Sequence, residues 1–405
     1  MKLVTTTTMA LSAEWGGLTP AGPFGRGVRR TLAREVKPGI WSLEQVQGAI
    51  YVHVPVRALI VRLREELVCY GAVAPTEEML ELLGEIEQQT QRLSAIVLPS
   101  TATEHKLFAI ALARRRPDAT LYVAPSQFSF PINLPNWVFF PRFTPLLEQP
   151  WPDEFPFLRL GPFVSEDGIS NFEEFLFFHR ESKTLLCCDT LLSLTETPPA
   201  IIDFNDPRAI KFHGRDFSNA TAKDGWTKIC LFALYFQCGA LRVREPDGSL
   251  RGALDFILTA FPPDTPEDFQ RLGWGRFFAW SWPEKQKTKQ AFDTLSARGA
   301  LMVPPILAIA ILNRYPDDLA RFLADDLWDD FDAVCPLHFD APVHASKRHV
   351  LDAFNAAIFD PLGEPRLPVP FWHRPTRTPF PPADTRFLRD FEARLVDAGV
   401  IKPAA

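Results

Sequence analysis

Apolar residues along this chain change their period from segment to segment, and the changes mark strands and helices in turn. Ile50 to Leu63 is rich in Val and Ile with partial alternation, which predicts one or two strands. Leu67 to Val73 predicts the next strand, and Ala74-Pro75-Thr76 turns the chain. Thr76, followed by Glu77 and Glu78, starts a helix to about Thr90 with Met79, Leu82, Leu83 and Ile86 on one face. Ser94 to Pro99 is a short, wholly apolar strand of the kind buried on both faces. A helix over Glu104 to Arg115 follows, with Leu107, Phe108, Ala111 and Leu112 at helical spacing, and then a strand over Ala119 to Ala124. This order is that of an α/β fold.

Farther on, a Pro- and Phe-rich loop covers Pro125 to Pro156, and Phe172 to Arg180 with Lys183 to Leu194 predicts a hairpin-like pair of strands. Residues 200–333 read as largely helical and aromatic. Asp332 to His338 is a short strand that delivers a histidine to a loop, and a helix from about Ser346 to Phe359 succeeds it. The tail from Pro361 is Pro-rich apart from an amphipathic segment, Thr385 to Ala398. No repeat of fixed period is present.

Composition sharpens this picture in three ways. With 405 residues, 46% hydrophobic and 23% charged, the chain can bury a sizeable core, as two ordinary domains or one large α/β domain with insertions. A net charge of −6 offers no global attraction to nucleic acid or an anionic membrane. The six cysteines (Cys69, Cys187, Cys188, Cys230, Cys238 and Cys335) form no CxxC pair, which predicts free thiols in a reducing intracellular compartment. Residues 1–37 hold few acids and are expected to be flexible, with a composition compatible with a plastid or other organelle transit segment. The longest apolar run, Ala300 to Leu312, contains Pro304 and Pro305 and falls short of the roughly 20 residues that span a bilayer, so a buried segment is expected.

Four acid and histidine residues stand at the ends of predicted apolar strands: Glu104, His105, Asp189 and His338. Strand-end loops are where α/β folds place functional groups, and two imidazoles with two carboxylates suit one Zn²⁺ or Fe²⁺ ion. The bland reading is equally concrete. Thr101-Ala102-Thr103-Glu104 is also a capping box for the helix that follows, contributing on the order of 1 kcal/mol, and His105 could then bond to Asp189 as a buried polar pair. Of Cys187 and Cys188, on opposite faces of a strand, only one could face the site.

The segment from Ile96 to Pro125, with Val54 to Leu63, Lys183 to Asp189 and Val334 to Pro342, resembles the uncharacterised family called domain of unknown function 4336, a degenerate relative of the metallo-β-lactamase-like hydrolases. The resemblance covers roughly residues 38–360. It implies an αββα sandwich interrupted by a helical elaboration at 200–333, with a Pro-rich tail at 361–405. Hydrolases of that superfamily carry an HxHxDH loop after a buried strand. In this chain Ser100 and Ala102 replace its first two histidines, Glu104 and His105 replace the Asp-His, and Asp189 and His338 match a late aspartate and a final histidine. His179 lies in mid-strand and does not match the remaining histidine. The resemblance therefore implies loss of one metal site and retention of the other, with Glu104, His105, Asp189 and His338 as ligands.

Two functions remain open: a single-metal hydrolase using a bound water as nucleophile, or a non-catalytic binding module that keeps the fold and binds no metal. A small-molecule ligand at the sheet-end site is the expected partner, with no nucleic acid and no integral membrane segment. Weaker signals read structurally. His213 is expected in a surface loop, and His344 and His349 exposed. Arg57 is expected to pair with a buried carboxylate such as Glu104 or Asp189, and the aromatic and basic run Arg271 to Lys289 to form a packed helix face. No GxGxxG, P-loop or GxSxG motif is present.

Overall fold

The computed structural model describes residues 29–49, 52–102, 105–127, 135–138, 142–165, 171–205, 208–214, 221–243, 280–325, 328 and 330–405. The chain opens with strands β1 (Leu32–Lys37), β2 (Ile40–Ala49), β3 (Val52–Arg62) and β4 (Leu67–Tyr70), then helix α1 (Glu77–Gln89), β5 (Leu93–Leu98), α2 (Lys106–Arg115), β6 (Thr120–Val123) and β7 (Thr144–Pro145). These strands form one seven-stranded sheet in sequence order, antiparallel from β1 to β4 and parallel from β4 to β7. β1 and β2 lie where the hydrophobic pattern gave no strand, and β1 falls inside the 1–37 segment. Both faces of β2 are buried and both carry polar residues, Ser42 and Glu44 on one and Gln45 and Gln47 on the other, so no apolar alternation announces it.

Strands β8 (Phe157–Val164), β9 (Asn171–His179) and β10 (Thr184–Cys187) follow. The predicted hairpin-like pair is β9 and β10, which run antiparallel. Next come helices α3 (Ala200–Asn205), α4 (Arg208–Gly214) and α5 (Ala222–Tyr235), the short strands β11 (Arg242–Val243) and β12 (Trp280–Ser281), and helices α6 (Lys285–Ser296), α7 (Pro305–Ala310) and α8 (Pro316–Ala324). Strands β13 (Ala333–Pro336) and β14 (Val343–His344) complete a second sheet of order β14-β13-β10-β9-β8, in which β10 and β13 are parallel. Helices α9 (Lys347–Phe354) and α10 (Pro382–Asp397) close the chain.

Burial shows how the layers stack. Leu59, Val61, Val68, Val97 and Tyr70 of the first sheet pack with Phe157, Phe175, Phe177, Leu186 and Leu337 of the second. The outer face of the first sheet, including Ala58, Ile60, Cys69 and Ile96, is covered by Met79 and Leu83 of α1 and Phe108 and Leu112 of α2. The outer face of the second, including Leu176, Phe178, Leu185 and Cys187, is covered by Leu307, Leu319, Leu323, Val350 and Phe354. The order of layers is αββα, as expected. The helical elaboration packs Trp226, Ile229 and Tyr235 of α5 with Trp282, Phe292 and Leu295 and covers Val46 and Val52, at the far end of the β2–β3 hairpin. Met302, Val303, Leu307 and Leu312 of the apolar run 300–312 are buried in these cores, and no helix among the described residues is long and apolar enough to cross a membrane.

Two polar groups tie the sheets together. The Tyr70 hydroxyl donates to the carbonyls of Phe175 (2.9 Å) and Leu186 (3.3 Å). Arg57 of β3 pairs with Glu44, its direct cross-strand partner, at 3.0 Å, and donates to the carbonyls of Pro336 (2.6 Å) and Phe339 beyond the end of β13. The expected pairing of Arg57 with Glu104 or Asp189 is thus corrected. The right partner sits on the neighbouring strand, where the hairpin register places it opposite. His213 is buried rather than on a surface loop.

Replacing Arg57 by Met removes the buried partner of Glu44, leaves only half-exposed Arg34 against that charge, and frees the carbonyls of Pro336 and Phe339. The expected loss is about 3–5 kcal/mol in urea unfolding. Arg62→Met, which breaks the exposed pair with Glu181, is expected to cost less than about 1 kcal/mol in the same measurement.

Candidate metal centre

Parallel strands bring their carboxyl ends to one edge, and two of the predicted site residues follow the parallel pair β10 and β13. Cys187 pairs with Pro336, and the Leu337 N–H donates to the Cys187 carbonyl at 2.9 Å. Asp189 and His338 emerge just beyond, with His338 Nε2 3.4 Å from Asp189 Oδ1. The His338 loop is held from outside by the Arg57 guanidinium on either side of it and by a bridge between Val56 and His338. Phe339 adopts φ +57°, a conformation costly for a residue with a Cβ, and its carbonyl is one that Arg57 holds.

His105 arrives from the first sheet, at the residue just before α2. The chain leaves β4 through Gly71 at φ +73°, where an added Cβ would lie 2.4 Å from Leu337 Cδ1. This turn aims the Ala72 carbonyl at His105, whose Nδ1 lies 2.7 Å away. The Ala72 N–H is 3.3 Å from the same nitrogen, and the shorter contact makes Nδ1 the donor. Nε2 then carries a lone pair, and it is buried with no hydrogen-bond partner. A backbone carbonyl on Nδ1 that fixes the tautomer and frees Nε2 is the support a ligating histidine usually has.

His105, Cys188 and His338 bring one ligand atom each within 4.8 Å of one another, and the two imidazole rings are 5.4 Å apart. Alternation along the strand explains why Cys188 is the cysteine that faces inward: Cys187 packs in the outer core and Cys188 in the core between the sheets. Asp189 stands beside this trio through His338, with Oδ2 buried and unpartnered. Imidazole nitrogens, a thiol and a carboxylate are a donor set that suits Zn²⁺ and its neighbours, so the residues fit a metal ion. His338 and Asp189 keep 12% and 20% of their side-chain area exposed, which leaves an approach from solvent on their side.

The structure joins His105, Asp189 and His338 of the predicted ligands, while Glu104 and Thr103 lie outside the described residues. Thr101 does not cap α2. Its hydroxyl donates to the Asn171 carbonyl (2.9 Å) and accepts from the Glu173 N–H (3.0 Å), stitching the loop to β9, and α2 has no side-chain cap bond. In place of the predicted bond between His105 and Asp189, His105 bonds to Ala72 and Asp189 lies 3.4 Å from His338 Nε2. His179 sits away from this cluster, bound to Ser182 (2.7 Å) and the Arg62 carbonyl (3.2 Å). His344 is exposed as expected, whereas His349 is half-buried and bonded to Ser346.

Sequence reasoning left the inward cysteine unassigned and missed Glu174. That carboxylate is fully buried and accepts the backbone N–H of Cys188 (2.7 Å), Asp189 (3.0 Å) and Thr190 (2.9 Å) and the Thr190 hydroxyl (2.7 Å). The available signal was the pair of acids, Glu173 and Glu174, inside the apolar run from Phe172 to Phe178, since a buried charge needs partners.

Burial, reinforced by His338, lowers the His105 pKa to about 4. Burial opposes ionisation of Asp189, but the hydrogen bond and charge of His338, with the Ser100 hydroxyl, outweigh it and hold the carboxyl below its ordinary value. Glu174 is pushed up, by burial first and then by the charge of Asp189.

The chain matches the family model described as Domain of unknown function (DUF4336) over residues 37–356. It belongs to that family. Among solved structures it is similar to the DIM-1 metallo-β-lactamase, at 13% identity over 45% of this chain and 82% of that one, with a TM-score of 0.31. It is also similar to a metallo-β-lactamase from Pontibacter korlensis (14% identity, 47% and 88% covered, TM-score 0.29). A fragment of a putative diflavin flavoprotein from Nostoc sp. PCC 7120 matches at 11% identity (48% and 85% covered, TM-score 0.29). No curated protein matches the chain.

The depressed His105 pKa has a signed consequence for the metal-free protein. The unfolded chain protonates this histidine near pH 6.5 and the folded chain only near 4. The unfolded state therefore binds more protons across that window, so its contribution is full above 6.5 and is lost as pH falls towards 4. Urea melts of wild type are expected to lose stability over this range, and those of His105→Gln to be flatter there.

Proposed function

We propose that this member of the family is a single-metal hydrolase whose ion is held by His105, Cys188 and His338, with Asp189 beside them. One observation carries the reading: three ligand-bearing side chains from two different sheets converge within 4.8 Å, and the His105 nitrogen aimed inward is buried without a partner. Leaving a buried imidazole nitrogen unsatisfied costs stability, and a cation at that point would remove the cost. Glu104, matched to the aspartate of the superfamily loop, completes the proposed ligand set.

A Zn²⁺ or Fe²⁺ ion bound here would supply Lewis acidity and activate water at neutral pH. The chain's own groups prepare for it. Ala72 holds the His105 tautomer, and Arg57 fixes the His338 loop through the carbonyls of Pro336 and Phe339. Asp189, kept ionised, is an acceptor next to His338 and is positioned to take a proton or a hydrogen bond from substrate.

The contact between Asp189 and His338 also supports a second reading, in which the old site is a hydrogen-bonded core of a non-catalytic binding module. Elemental analysis of the purified full chain, before and after incubation with Zn²⁺ or Fe²⁺, separates the two. The metal reading expects about one ion per chain, lost in His338→Ala and in Cys188→Ala. If wild type takes up no metal and His338→Ala only lowers the melting temperature, the hydrolase reading is overturned.

A further inference from the structure

We propose that Glu174 is the positioning residue of this centre: by gripping the amides of Cys188, Asp189 and Thr190 it sets the direction in which the thiol and carboxylate face His105 and His338. The inference rests on the metal-binding reading above. Glu174 has no cationic side chain among its hydrogen-bond partners. Its four bonds are to donors of one tight loop, Oε1 to Cys188 and Oε2 to Asp189, Thr190 and the Thr190 hydroxyl. Successive amides converging on one anion form a nest, in which the anion here is the protein's own side chain and the nest is the ligand-bearing loop.

The same strand organises the other half of the site. Ser100 bridges to Glu174, the Phe175 N–H donates to the Pro99 carbonyl at 2.7 Å, and the Thr101 N–H donates to the Glu173 carbonyl at 3.0 Å. One stretch of β9 thus references the loop leading to His105 by its backbone and the Cys188–Asp189 loop by its side chain. A fully buried carboxylate is an expensive filler in an apolar strand, and a neutral side chain would pack the same space. What only a carboxylate provides is acceptor capacity on both oxygens. In Glu174→Gln the amide can keep its oxygen on the side that takes three bonds, which turns its NH₂ against the Cys188 N–H. The first group displaced is then the thiol ligand.

Cobalt(II) is the probe, because a thiolate bound to it gives a charge-transfer absorption that reports the Cys188 bond directly. Wild-type full-length protein is expected to bind one cobalt with that band. Glu174→Gln is expected to bind about 10–100-fold more weakly, with the band weakened or shifted. Thr190→Val, a milder change that removes one of the four bonds, is expected to shift affinity and spectrum in the same direction by less. Glu173→Gln is the control: Glu173 is as buried, but its carboxylate binds Arg159 and Ser126, so it should lower stability and leave cobalt affinity and spectrum unchanged. Cobalt binding in Glu174→Gln with wild-type affinity and spectrum overturns the role of Glu174 and leaves the metal reading standing. Wild type that takes up no cobalt overturns both. If Glu174→Gln does not fold, Thr190→Val decides, and an unchanged affinity and spectrum there overturn the proposal.

Discussion

The position of His338 depends on one buried guanidinium. Arg57 lies on β3 of the first sheet, yet three of its bonds reach the second: its N–H to the Leu337 carbonyl at 2.9 Å, and its guanidinium to the carbonyls of Pro336 and Phe339. Apolar side chains at this contact pack without direction, whereas these bonds and the Val56–His338 bridge fix the end of β13 against β3. Glu44 neutralises the cation from the next strand. A buried ion pair of this kind contributes little net stability against a well-packed apolar substitute. Its contribution is directional: the sheets can slide relative to each other only by breaking hydrogen bonds in the core, and so the ligands from the two sheets keep their separation.

That dependence explains what could be read from the chain. Strands β3, β5, β6, β9 and β13 and helices α1 and α2 were legible because apolar residues dominate them, despite buried Arg57 in β3 and Glu173 and Glu174 in β9. β2 was not, because both its faces are buried and each carries polar residues, Ser42 and Glu44 on one and Gln45 and Gln47 on the other; Gln45, for one, is satisfied from far along the chain, donating to the Ala74 carbonyl and accepting the Ala74 N–H. Missing β2 meant missing Glu44, and Arg57 then had no visible partner. At the site, Asp189 and His338 were legible as polar residues that end apolar strands. Choosing Cys188 over Cys187 needed the facing of one strand, and Ala72 and Glu174 needed contacts that no local pattern encodes.

The loop that leads to His105 has two halves with different duties. The Ser100 hydroxyl accepts the Ala102 N–H at 3.1 Å and its carbonyl accepts from Gln127 at 2.6 Å. Thr101 is stitched to β9. These bonds tie the loop to β9 and to the segment after β6. His105 alone, among the described residues of the loop, presents an unsatisfied nitrogen to the interior.

Electrostatics divides the roles further. Two carboxylates as close as Glu174 and Asp189 resist joint ionisation in a buried setting, and their surroundings push them apart: Glu174 upward, Asp189 downward. Burial meanwhile keeps His105 neutral far below physiological pH. At neutral pH His105 and Asp189 are therefore a neutral imidazole and a carboxylate, the protonation states in which such side chains bind cations. An ion entering the cluster would displace a proton only from the Cys188 thiol or from a His338 that carries one. The same arrangement costs stability, because His105 Nε2 and Asp189 Oδ2 are both buried without a hydrogen-bond partner.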